Sequence, residues 1–316
     1  MKPVAQTEVQ NLVAQFRSGG LSRREFFQKL AFATGSILLA QQLMLDYGFA
    51  SEMEIYDWPD PFRGPQDAPP PTPKESIAAG EKRLPAPVAA ESVEYPSGDV
   101  KVGAYLAKPK AGAPFAAIIV IHENRGVTEF VLDIAQRWAL EGLLAVAPDC
   151  LSRLGGTAKY DSMDAARTGI GQLDRAGVIA DLQATLAYLK TRKDVKASKI
   201  GVSGFCWGGA NTFNLTVESK ELAFAVPFYG AMRALDKVEQ INCPVFAVYA
   251  ESDQGVNANL DELEAKMKEL KKNYTRRVFP GTQHAFMNFT NPQRYNADQA
   301  KIAWSEVTAF VKKTVG

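Results

Sequence analysis

Net charge, histidine, cysteine and long apolar runs are all scarce in this 316-residue chain, and each scarcity closes off a class of function. Lys and Arg exceed Asp and Glu by one, with no basic cluster, so nothing in the sequence recommends nucleic acid as a partner. With two histidines, His122 and His284, a His-Glu-x-x-His zinc motif cannot be completed, because Gly126 stands where the second histidine would be. Three cysteines are too few for a disulfide-built scaffold. If Cys206 is a working thiol, only Cys150 and Cys243 remain to pair. Cys150 follows the apolar run Leu143 to Ala147 and Cys243 precedes Val245 to Tyr249, which puts them on opposite rims of a parallel sheet. A disulfide needs Cα atoms within about 7 Å, so three free thiols are expected. No apolar run approaches the roughly 20 residues that span a bilayer, so no stable membrane span is expected. Internal repeats are absent too.

What is present reads as one large α/β domain, for which a 46% hydrophobic composition is ample. Ser92 to Tyr95, a turn at Pro96-Ser97-Gly98-Asp99 and Val100 to Ala107 predict an antiparallel hairpin. Ala116 to Ile121 is apolar on both faces, as a central parallel strand requires. Helical spacing follows at Val127, Val131, Ile134 and Trp138, with Gly142 placed to end it. Strands are then predicted at Leu143 to Ala147, Ile200 to Ser203, Ala223 to Tyr229, Val245 to Tyr249 and Thr275 to Phe279, with helices between them and one after the last. The pattern predicts a mostly parallel, doubly wound sheet with an initial antiparallel hairpin, which binds ligands at the carboxyl ends of its strands.

Residues 1–50 read as a twin-arginine export signal. Arg23 and Arg24 precede Phe26 and Phe27, and the run from Leu30 to Ala40 is weakly apolar and free of acids. Gly48 and Ala50 suit cleavage before Ser51, so the expectation is passage through the twin-arginine machinery to a periplasmic or secreted location. An amphipathic cytosolic helix with a chance arginine pair is the alternative. Residues 51–90 are proline-rich and are expected to run extended, as an arm that docks through Tyr56, Trp58 and Phe62. Residues 91–316 form the expected catalytic domain.

The domain is organised around Gly204-Phe205-Cys206-Trp207-Gly208-Gly209, a nucleophile elbow with cysteine in the place of serine. Gly204 and Gly208 are expected because a Cβ there would collide with the turn. A small apolar cysteine in a glycine-rich turn is the bland alternative. An elbow of this kind, the signature of the α/β-hydrolase fold, needs an acid and then a histidine downstream. His284 is the one histidine after Cys206. Asp253 is preferred to Glu251 as the acid because it lies farther out on its loop, with a helix N-cap as the lesser alternative for an Asp there. His122-Glu123-Asn124-Arg125 closes the first central strand, where an oxyanion loop belongs. The backbone amides of Asn124 and Trp207 are the expected oxyanion donors.

With its elbow, Asp253, the segment Gly281-Thr282-Gln283-His284-Ala285-Phe286 and Glu123 after an apolar strand, the chain from about Ser92 onward resembles the dienelactone hydrolase family. The resemblance implies hydrolysis of an enol-lactone or related ester without metal or cofactor, so that carboxymethylenebutenolidase activity is among the expectations. It also implies a resting thiol linked to Glu123, which moves when substrate binds and frees the thiolate for His284. Two positions depart from the family pattern. Asn288 stands where an arginine helps to hold the substrate carboxylate, and a second arginine, paired with a tyrosine four residues on, has no match between Leu151 and Gly177. Arg153, Arg167 and Arg175 are available there, and Arg125 and Arg153 are the candidates for substrate binding. The leading expectation is a cysteine hydrolase of a small-molecule ester or lactone. A catalytically silent periplasmic binding protein on the same fold is the alternative, and thiol-redox chemistry lacks a Cys-x-x-Cys pair or resolving cysteine.

Overall fold

A computed structural model describes residues 6–18, 20–21, 26, 29–30, 33 and 71–316. Eight strands form one sheet: β1 (Val88–Ser97), β2 (Val100–Pro109), β3 (Phe115–Ile121), β4 (Leu144–Pro148), β5 (Val195–Phe205), β6 (Ala225–Phe228), β7 (Val245–Ser252) and β8 (Tyr274–Gln283). Their order is β1-β2-β4-β3-β5-β6-β7-β8. The hairpin β1–β2 and the β2–β4 pair are antiparallel, and every later pair is parallel. This is the α/β-hydrolase architecture expected from the alternating pattern.

The all-apolar β3 explains the layering. Its side chains alternate between two cores, with Ala116, Ile118 and Val120 on one face of the sheet and Ala117, Ile119 and Ile121 on the other. The first core takes the helices Glu129–Leu140 and Ala297–Val315, whose Trp138 and Trp304 rings lie 4.7 Å apart. The second takes the helices Arg175–Thr191, Trp207–Glu218 and Leu260–Glu269 through Leu182, Phe213 and Leu263. Gly142, at φ 93°, ends the helix of the first βαβ unit in the left-handed conformation that a Cβ would disfavour.

Two expectations near the amino terminus need correction or lie out of view. Part of the segment expected to be extended is the α-helix Pro73–Lys82, and β1 begins at Val88, three residues before the expected domain start. The reason is local: Thr72 and Glu75 form a reciprocal capping box, and Pro73 takes the first helical position, where its missing N–H costs nothing. The helix docks on Glu129–Leu140 through Ser76 Oγ, which accepts from Glu129 N–H at 2.9 Å, and through Gly80 O, which accepts from Gln136 Nε2 at 3.0 Å. Residues 51–70, with Tyr56, Trp58 and Phe62, lie outside the described residues, as do Arg23 and Arg24. Of the amino-terminal segment, the helix Gln6–Arg17 is described, and Val9, Leu12, Val13, Phe26 and Leu30 are buried with the first core. Among the described residues, no helix is long and apolar enough to cross a membrane.

Candidate active site

The turn from β5 into the helix Trp207–Glu218 places Cys206 at φ 57°, ψ −114°, a strained backbone that only its surroundings hold in place. The surroundings leave no room for side chains. A Cβ on Gly204 would stand 2.2 Å from Gly208 O, and one on Gly208 would stand 2.4 Å from both Ile121 O and His122 O. These glycines let β5, the new helix and the end of β3 close on one another, with the half-buried sulfur above them. The Trp207 amide opens the helix, and its indole stacks on the His122 ring, 5.2 Å between centroids.

The sulfur meets the end of β8. His284 Nε2 lies 2.9 Å from Cys206 Sγ, and His284 Nδ1 lies 2.5 Å from Asp253 Oδ2. Asp253 sits at the head of a four-residue helix, Gln254–Asn257, but makes no side-chain cap there. Glu251 is occupied elsewhere, accepting from Gly281 N–H at 2.9 Å. Burial pulls the His284 pKa down, but hydrogen bonds to Asp253 and Cys206, with the charges of both, outweigh it and push the imidazole up to about 10. A sulfur, an imidazole and a carboxylate aligned in this way can attack a carbonyl and pass the proton onward.

A cavity of about 550 Å³ opens over this line. Glu123, Asn124, Arg125, Arg167, Asn288 and Arg294 are among the residues that line it, beside Cys206 and His284. Among the described residues, no group of three or more His, Cys, Asp or Glu side chains is placed to hold a metal ion.

Two positions differ from expectation. The structure pairs the thiol with His284 and not with Glu123, because other partners hold the carboxylate: Asn288 Nδ2 donates to its Oε2 at 2.6 Å and the Tyr229 hydroxyl donates to its Oε1 at 3.4 Å. Burial pushes the Glu123 carboxyl above its ordinary value, against hydrogen bonding from Asn288 and the nearby charges of His284 and Arg125. Arg153 is the second. It does not line the cavity but makes two 2.8 Å bonds to Asp181, which is fully buried in the helix Arg175–Thr191 and requires a cation. Arg167, carried to the cavity by the helix Met163–Gly171, and Arg294 stand there with Arg125 instead. Arg294 was not singled out from the sequence, and its one signal is its place ten residues after His284 in the same polar loop.

Residues 102–315, about two thirds of the chain, match the model of the dienelactone hydrolase family. The chain belongs to the dienelactone hydrolase family. It is 34% identical over 236 residues to the protein usf of Aquifex pyrophilus, covering 71% of this chain and 98% of that one. It is 27% identical over 236 residues to a Methylorubrum extorquens protein named "Putative carboxymethylenebutenolidase", covering 71% and 81% of the two chains. Among solved structures, a Klebsiella pneumoniae chain described as "Putative Dienelactone Hydrolase" superposes with a TM-score of 0.66 at 26% identity, over 71% of this chain and 98% of that one. Membership makes this dienelactone hydrolase family protein a hydrolase.

Proposed function

We propose that the protein hydrolyses a lactone or carboxylic ester bearing an anionic group, with Cys206 as the nucleophile. The observation that carries this reading is the 2.9 Å approach of His284 Nε2 to a sulfur held on a strained elbow, with Asp253 behind the imidazole. In the proposed cycle, sulfur attacks the carbonyl carbon and the oxyanion is taken by the backbone amides of Trp207 and Asn124. The carbon–oxygen bond breaks, and the leaving alkoxide or enolate takes a proton from the His284 imidazolium. Water, deprotonated by the now neutral His284, then attacks the thioester, releasing the acid and returning the proton to the Cys206–His284 pair. Asp253 holds the imidazole in the tautomer both steps require.

Arg125, Arg167 and Arg294 support the anionic substrate class, since three arginines among the residues lining the cavity match a carboxylate. A lactone that carries a carboxylate is therefore preferred, with carboxymethylenebutenolidase activity as the nearest chemistry. The test compares hydrolysis of a carboxylate-bearing enol-lactone with that of its methyl ester. Wild type is expected to favour the acid at least tenfold in kcat/KM, and Cys206→Ala to turn over neither. Equal rates on both substrates would remove the anionic class, and turnover by Cys206→Ala would remove the nucleophile.

Export of the folded protein by the twin-arginine machinery is proposed with it, on the pattern around Arg23 and Arg24. Replacing both with lysine is expected to leave the protein in the cytoplasmic fraction. An unchanged distribution would contradict the route.

A further inference from the structure

The cycle leaves one acid in the cavity without a task. Glu123 lines the same space as the sulfur, yet no step above uses its carboxyl. Its surroundings are nevertheless specific. Asn288 Nδ2 donates to Oε2 at 2.6 Å, and the fully buried Tyr229 donates to Oε1.

An amide side chain can turn either end toward a carboxylate, so the orientation of Asn288 decides whether it attracts or repels. Its Oδ1 accepts from the Thr290 backbone N–H at 2.9 Å and from Thr290 Oγ1 at 2.7 Å. A backbone N–H can only donate, so the carbonyl end must face Thr290 and the NH₂ end must face Glu123. Asn288 is 6% exposed, and its own N–H donates to Ala285 O at 2.9 Å, which closes the turn immediately after His284. A single short loop thus carries both the imidazole that meets the sulfur and the amide that holds the carboxylate.

We propose that Asn288 is a positioning residue that holds Glu123 aside, so that Cys206 is paired with His284 before any substrate arrives. The proposal rests on the reading of Cys206 as the nucleophile. It departs from substrate-triggered activation, in which the carboxylate holds the thiol until ligand displaces it. Without the amide, Glu123 gains freedom to turn toward the sulfur, where it would accept a hydrogen bond from the S–H and keep the thiol neutral, or oppose a thiolate by like charge. The shift in readiness should be about tenfold, the worth of one hydrogen bond to a charged group.

The test is the rate of Cys206 alkylation by iodoacetamide at neutral pH with no substrate present, followed by mass spectrometry of the Cys206 peptide. Wild type should alkylate rapidly. Asn288→Ala and the near-isosteric Asn288→Leu, which cannot donate, should alkylate about tenfold more slowly. Thr290→Val, which removes one of the two donors fixing the amide, should slow it less. In a Glu123→Ala background the Asn288→Ala change should have no further effect, an outcome that a merely structural role for Asn288 would not produce. Wild-type rates in both Asn288 variants, or the same slowing with Glu123 absent, would overturn the proposal. His284→Ala separates the two levels of the argument. If it alkylates as fast as wild type, the reading of Cys206 fails and the proposal with it; if it is slow while the Asn288 variants are not, only the positioning role fails.

Discussion

The chain's two histidines each follow directly on a strand in the parallel part of the same sheet, His122 after β3 and His284 after β8, yet they are put to opposite uses. The His122 ring is fully buried and satisfied by backbone alone: Nδ1–H donates to Glu123 O at 2.6 Å, and Nε2 accepts from Cys150 N–H at 3.1 Å. Burial depresses its pKa, with the charge of Asp149 and the Glu123 carbonyl acting the other way. Both of its nitrogens are therefore engaged by backbone groups, and neither faces a substrate. The His284 ring is a quarter exposed in its side chain and lies between a carboxylate and a sulfur, which raise its pKa. What a histidine at a strand end can do is set by whether fixed backbone groups or ionisable side chains hold its two nitrogens.

The largest expected difference between the two is in turnover. His284→Ala should lower kcat/KM on an activated ester by about 10³-fold or more, the scale of losing a general base from such a relay. His122→Phe should change the rate of the folded fraction by less than about tenfold. Comparable losses in the two variants would erase the contrast. Next comes Asp253→Asn, which keeps the shape but removes the charge behind Nδ1, and a loss on the order of 10²-fold or more in kcat is expected.

Stability should show the reverse ranking. His122→Phe leaves the buried Cys150 N–H without its partner and takes from the Glu123 carbonyl the nearer of two donors, the Gly126 N–H at 3.4 Å remaining, so urea unfolding should show a loss of about 1–3 kcal/mol. His284→Ala should cost far less by the same measurement. The pH dependence of stability should also differ in sign. The His284 pKa is raised in the folded state, so its contribution is complete below about 6.5 and is lost as pH rises toward about 10. That of His122 is lowered, so its contribution is complete above about 6.5 and is lost as pH falls below it. Urea midpoints between pH 5 and 10 should therefore flatten on the alkaline side in His284→Ala and on the acid side in His122→Phe. The smallest effect concerns the arginines. Arg167→Ala should raise KM about tenfold for a carboxylate-bearing ester only, whereas Arg153→Ala, which strands the buried Asp181, should lower stability and leave KM in place.

The legible parts of this molecule are those a backbone dictates. The elbow could be read because Gly204 and Gly208 stand where any Cβ would strike backbone atoms. Asp253 and His284 could be located because the chain order of strands fixes which loops share a rim, and a single histidine follows Cys206. The helix Pro73–Lys82 was also within reach, since Thr72-Pro73-Lys74-Glu75 carries its own start signal inside a proline-rich stretch. Side-chain partnerships between distant segments were not. The Asn288–Glu123 bond joins residues 165 apart, and Arg153 is claimed by an Asp181 whose burial on a helix rich in apolar residues no local pattern announces. The departure at Asn288 was visible as a missing arginine; its partner required coordinates.

The central claim is that Cys206 forms a covalent acyl intermediate, and acid quenching during turnover of a slow ester, followed by intact-protein and peptide mass spectrometry, tests it most directly. The account predicts a mass increment equal to the acyl group on the Cys206 peptide, present in wild type and absent in Cys206→Ala. Sustained turnover with an unmodified Cys206 peptide, or acyl mass on another residue that persists in Cys206→Ala, would contradict it.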